Sequence, residues 1–286
     1  MSGHRISPPR VETSVSRAPK PPAELAGSAN AFRQTGFLLG EDVELVLEGL
    51  RLEAGHAESA SGAKFRNRVA AAVFGPWSRG WLARLQALHA AEWGDYSSAA
   101  VLTRAAADFE AAAVAHLRDG AAEWSAWLDN GGLREAHEHH ATEFRLHQFR
   151  SAETLAASPG LGVVYREASE FALPHIGVTA LLTASESNAE RYRATFADRD
   201  FHLGLAELVL GWLLRLGLAH AEYFAEAGPS LPPMPAETGP WAERAARAID
   251  RRDRCRLETV EVGGESRTLV VNWRREPRSP ARRVLL

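Results

Sequence analysis

Apolar residues recur with a period close to 3.6 in one segment of this chain after another, and the breaks between segments are short. "EDVELVLEGLRLEAG" (41–55) spaces Val43, Val46, Leu47 and Leu50 along one helical face and stops at Gly55. "KFRNRVAAAVF" (64–74) predicts a helix ended by Gly75-Pro76, and "SRGWLARLQALHAAEW" (78–93) predicts the next. Residues 97–130 form a long Ala-rich helix in this reading, with Ser97 as N-cap and "NGG" as its stop. Residues 133–157, 161–175 and 176–196 continue the helical pattern, with Pro174 ending the second of them. Residues 198–228 hold the most apolar stretch and predict the central helix.

The two ends read differently. Residues 1–30 are rich in Pro, Ser and Ala and carry no apolar period, which predicts a disordered arm. After a Pro-rich linker and a short helix from Trp241, the period switches to two around Gly263-Gly264, the mark of a β-hairpin. The last residues, "RREPRSPARRVLL", read as unstructured. The expected fold is therefore an all-α multi-helix bundle over 31–228. Residues 229–286 add the linker, short helix, small C-terminal β-hairpin and basic tail.

Charge changes this picture at the ends. The formal total of −3 hides a net +3 over residues 1–33 and +5 over residues 251–286, so the body between them is strongly acidic. The basic tail, with Trp273 among its arginines, could contact RNA phosphates. The hairpin from Leu257 to Trp273 could instead add to a partner's sheet edge, in a homo-oligomer or another protein, or the tail could fold onto its own acidic body. Cys255 is the only cysteine, which permits no intrachain disulfide and fits a reducing cytoplasm. Lys20 and Lys64 are the only lysines beside many arginines, which with the Ala richness fits a GC-rich bacterial genome. Glu207, Arg215 and His220 interrupt the longest apolar run, so no membrane span is expected. No Gly-rich phosphate loop, Ser-His-Asp pattern or Cys-based metal motif occurs, and no cofactor is expected.

Three constellations carry candidate chemistry. The first is a duplication: "GWLARLQALHAAEW" (80–93) and "GWLLRLGLAHAEYF" (211–224) agree at seven of fourteen positions, including Arg84 and His89 in one copy and Arg215 and His220 in the other. Arg134 and His139 share the spacing. These Arg-x4-His pairs resemble the motif of HEPN-superfamily ribonucleases. The resemblance implies metal-independent RNA cleavage, with His moving a proton at the ribose and Arg stabilising the phosphate. Leu85 and Leu216 stand where that motif has a polar residue. The structural alternative pairs Arg215 with a carboxylate and bonds His220 to an acceptor, with Trp81 and Trp212 buried in the core.

The second is "REAHEHHATEFRLHQ", which on a helix would line up His139, Glu143 and His147 as ligands for zinc, manganese or iron. A solvated charged face is the alternative. The third places Gly94, Ala99, Leu102, Arg104 and Asp108 in the order Gly-x4-Ala-x2-Leu-x-Arg-x3-acid, followed downstream by Ser169, Glu170 and His175. Over roughly residues 80–225 this resembles a bacterial all-helical family of unknown function. Asp108 stands where that family has Glu, and His175 comes two residues late. Arg104, Asp108, Glu170 and His175 are the expected internal polar cluster. With no complete catalytic set, the expected role is binding or scaffolding, with the ribonuclease and the metal-binding bundle as alternatives.

Overall fold

The computed structural model describes residues 4–184, 187–188 and 190–286. Its ten α-helices are α1 (Ala26–Leu38), α2 (Gly40–Ser59), α3 (Arg68–Glu92), α4 (Tyr96–Arg118), α5 (Ala122–Trp127), α6 (Ala152–Ala157), α7 (Pro159–Ala172), α8 (Ile176–Thr183), α9 (Leu203–Ala225) and α10 (Thr238–Ile249). Five strands join them: β1 (Leu133–Ala136), β2 (Ala141–Phe144), β3 (Arg256–Val262), β4 (Glu265–Trp273) and β5 (Arg282–Leu285). The chain is mostly helical, with a small antiparallel sheet near its C-terminus.

Helix α9 is the axis of the bundle. α2, α3, α4, α7 and α10 all pack on it, and it is buried almost throughout. It is the one described helix long and apolar enough to cross a membrane, but its apolar window is 89% buried inside the protein. The two copies of the Gly-Trp-Leu duplication lie on α3 and α9, which touch. Both tryptophans are buried: Trp81 donates to the Leu50 carbonyl (3.0 Å) and Trp212 to the Glu167 carboxylate (2.7 Å). Helix α10 wedges Trp241 between α2 and α9. A Cβ at Gly49 would lie 2.5 Å from that indole and one at Gly217 2.8 Å, so these helices approach only through glycine.

Several elements differ from the sequence expectation. Gly75-Pro76 does not end a helix: α3 runs through it, with Pro76 buried. Packing on α4 and α9 outweighs the lost backbone hydrogen bond. The long Ala-rich helix stops at Arg118, because Gly120 and Ala121 both take positive φ, and Asp95 rather than Ser97 caps its start. Residues 133–144 are not helical. They form the β1–β2 hairpin, with Arg134 opposite Glu143 and His140 in the left-handed turn. On a helix the only apolar side chains here would be Leu133, Ala136, Ala141 and Phe144, two of them alanines, so a helix would bury little. α8 covers only the start of the expected helix 176–196; residues 185, 186 and 189 lie outside the described residues.

The ends also depart from expectation. α1 begins at Ala26, inside the expected arm. Residues 4–20 have no regular structure, yet they lie as a strap on the body rather than free. The fully buried Glu92 accepts from the Arg17 guanidinium (2.6 Å) and the Ala18 amide (2.8 Å), while Trp93 donates to the Pro19 carbonyl. At the other end the hairpin turns at Gly263-Gly264, both with positive φ, as the sequence pattern predicts. The tail beyond it is not structureless: β5 pairs with β4 and makes a three-stranded sheet.

Candidate functional site

The duplicated helices contribute one ionisable residue each to a single buried network. Arg84 of α3 makes a two-pronged ion pair with Glu53 of α2, Nη1 to Oε1 at 2.6 Å and Nη2 to Oε2. His220 of α9 presents Nδ1 to Glu110 of α4 at 2.8 Å and lies 3.7 Å from Glu53. His56 stands beside them, its Nε2 bonded to the Pro232 carbonyl at 2.9 Å. Trp77 and Phe224 close the shell, with Phe224 stacked on His220 at 3.8 Å between centroids. None of the five polar residues is more than 3% exposed.

Each group is set by its neighbours. Burial alone would raise the Glu110 carboxyl, but the His220 charge and hydrogen bond, with Arg84 beyond, hold it below the ordinary carboxylate range. Burial would likewise lower the Arg84 guanidinium, yet Glu53 and Glu110 more than offset this and raise it. His56 is lowered, chiefly by burial, which outweighs its bond to Pro232. Several polar atoms stay unbonded within the protein: Arg84 Nε, Glu110 Oε2, His56 Nδ1 and His220 Nε2. Glu53, His56 and Glu110 were missed from sequence. The signals were there: Glu53 continues the apolar stripe of Val46 and Leu50, and Glu110 sits in an Ala run.

The other halves of the two pairs stand elsewhere. His89 Nε2 meets the Ser16 carbonyl of the strap at 2.8 Å. Arg215 lies beside Glu167, whose carboxyl burial raises while Trp212 and Arg215 pull it down. Arg84, His89, Arg215 and His220 therefore do not form one four-residue centre. Arg104 donates to Ser169 (3.0 Å) and to the Tyr165 hydroxyl (2.8 Å). Asp108, raised by burial against the pull of Arg104, receives the Ser151 hydroxyl at 3.4 Å. Glu170 and His175 are half exposed and pair with each other at 3.9 Å. The expected cluster is thus two separate groups, because Ser169, and not Glu170, faces Arg104.

The histidine-rich segment is also rearranged. On the hairpin Glu143 pairs with Arg134 at 2.5 Å, and His147 turns to Glu123 of α5 at 3.0 Å. His139, in the connection between the strands, does not share a helical stripe with them. Among the described residues no group of three His, Cys, Asp or Glu is arranged to hold a metal ion. Part of the basic tail is folded onto acidic residues of the body. Buried Arg254 donates to Asp42 (2.7 Å) and to the Glu207 carbonyl, Arg251 also faces Asp42, and Arg274 faces Glu207. Arg275 reaches Asp198 and Asp200.

Beside α5 the surface opens into a groove of about 1170 Å³. Arg118 of α4 with Asp119 just past its end, Glu123 and Trp127 of α5, and Phe144 and Arg150 beyond line it. The chain leaving β2 runs along it in the open, with Phe144, Leu146 and Phe149 all exposed. No protein-family model, curated protein or solved structure matches this chain significantly.

Proposed function

We propose that this protein acts by binding, through the groove between α4, α5, α6 and the β1–β2 hairpin, and that the Glu53–Arg84–Glu110–His220 network holds the bundle that presents it. The observation that carries this reading is the run of exposed apolar side chains at 144, 146 and 149 beside an open groove. Proteins rarely leave such groups together on a surface that meets only water. The network supports the structural half. A ribonuclease of the Arg-His kind needs both groups at a phosphodiester, whereas Arg84 and His220 are enclosed and engaged by glutamates.

The test is a pair of variants with a melt and an RNA assay. His220→Ala should destabilise the fold, and neither it nor the wild type should cleave single-stranded or structured RNA without metal. Phe144→Ser combined with Leu146→Ser should leave the melt unchanged, since exposed side chains do little for the fold. Metal-independent cleavage lost in His220→Ala with an unaltered melt overturns the reading. So does a double serine variant that loses more than about 1 kcal/mol, which would make those residues packing groups.

A further inference from the structure

A smaller cavity of about 160 Å³ shares Glu123, Trp127, Arg145 and His147 with the groove. Trp124 and Trp127 of α5 and Phe149 wall it, and His116 of α4 lines it. Trp127 is pinned by its indole N–H to the Arg145 carbonyl at 2.9 Å, and Phe149 stands edge-on to His116 at 5.6 Å. His116 is 2% exposed, and neither of its ring nitrogens has a partner in the protein. Buried polar groups are nearly always satisfied, so an imidazole with both nitrogens unmet beside a cavity points to a missing partner. Burial lowers its pKa despite Asp119 and Glu123, so it presents one donor and one acceptor.

The walls narrow the ligand. Glu123 is already faced by His147 at 3.0 Å and Arg150 at 3.6 Å, so no uncompensated carboxylate waits for a cation. Aromatic walls favour a flat ring, and because the two imidazole nitrogens point apart, one of them can meet a donor or acceptor on that ring's edge. Resting on the binding role argued above, we propose that this cavity takes a nucleobase, stacked on the tryptophans and hydrogen-bonded through His116. The adjoining groove leaves room for a sugar. Its arginines 118, 145 and 150 are matched by Asp119, Glu123, Glu143 and Glu153, which favours a free base or nucleoside over a charged strand.

The experiment titrates the full-length protein with adenosine, guanosine, cytidine and uridine, following tryptophan fluorescence. Toluene, tetramethylammonium and short single-stranded RNA serve as comparison probes. At least one nucleoside should quench saturably. His116→Leu should weaken it at least tenfold while the melt stays level or rises, because the variant removes unmet polar atoms. RNA should bind no tighter than its nucleoside. Three results overturn the proposal: no saturable nucleoside binding, binding indifferent to His116→Leu, or tetramethylammonium binding more tightly. RNA that binds tenfold tighter and weakens with salt overturns the free-nucleoside source. Toluene saturating where nucleosides fail sinks the nucleobase alone and leaves the binding role standing.

Discussion

Replacing Arg84 by Met should be among the most damaging single changes in this protein, and the order of damage across its network tests the charge argument. The substitution keeps much of the side-chain volume and removes only the guanidinium. Glu53 and Glu110 would then share a site that is nearly dry, with His220 the one remaining counter-charge. Breaking a buried pair by deleting one partner costs about 3–5 kcal/mol. For a chain of this size that lowers the melting temperature by on the order of 10 °C. Glu53→Leu should cost less. Arg84 is already close enough to Glu110 to help hold its carboxyl low, so Glu110 can take over as its counter-charge. The double variant removes both members, leaves the Glu110–His220 pair balanced, and should recover most of the loss. Urea titrations of the four proteins yield the coupling energy directly. An Arg84→Met protein within about 1 kcal/mol of wild type would refute the reasoning, as would additive single losses.

Trp212→Ala removes an indole that packs edge-on to Phe171 and donates to Glu167, so about 3–5 kcal/mol should be lost in denaturant unfolding; a loss below about 1 kcal/mol would place α9 outside the core. His202 accepts the Leu205 amide through Nδ1 and so caps α9 only while that nitrogen is unprotonated, and burial, with Arg275 adding to it, pushes its pKa down to about 3. The unfolded chain takes up this proton below about pH 6.5 and the native state refuses it, so the stabilisation is complete above that pH and falls as pH drops. Between pH 7 and pH 5 the loss is about 2 kcal/mol, and His202→Asn, which keeps a capping oxygen, should flatten the slope by that amount; parallel slopes would count against the cap. The Ala18 amide, donated to buried Glu92, should exchange slowly by hydrogen–deuterium measurement, and exchange at the free-peptide rate would mean the strap is not docked.

How much of this was legible depended on whether the cause lay nearby in sequence. Helix α9 was, because a stretch so apolar has only the centre of the bundle to occupy. The Gly263-Gly264 turn was too, since two positive-φ residues between alternating strands admit few other conformations. Pro76 misled because the rule for proline prices only the local hydrogen bond and omits what α4 and α9 return by packing. The histidine-rich segment misled for the opposite reason. Its i,i+4 polar spacing is compatible with a helix, but Leu133, Ala136, Ala141 and Phe144 give that helix little to bury. The strap and β5 lie beyond local reasoning altogether. What orders them is a carboxylate on α3 for the one and the edge of β4 for the other. The network was half visible: Arg84 and His220 stood out on greasy helices, while Glu53 and Glu110, on other segments, needed the tertiary fold to find them.

The duplication explains why one residue from each copy goes inward. An Arg and a His five positions apart lie about 140° apart around a helix, so the two members of each pair meet different neighbours. On α3 the inward residue is Arg84, and His89 is left to meet the strap at Ser16. On α9 it is His220, and Arg215 is left on the flank beside Glu167. Had both copies turned the same way, the bundle would hold either two buried guanidiniums or two buried imidazoles. Glu53 and Glu110 could not have served either set equally well. Opposite choices put one guanidinium and one imidazole in the network, each against its own carboxylate and close enough to share both. The outward residues make the same division at the surface, where His89 fastens the N-terminal strap and Arg215, after Trp212, offsets part of the burial that raises the Glu167 carboxyl.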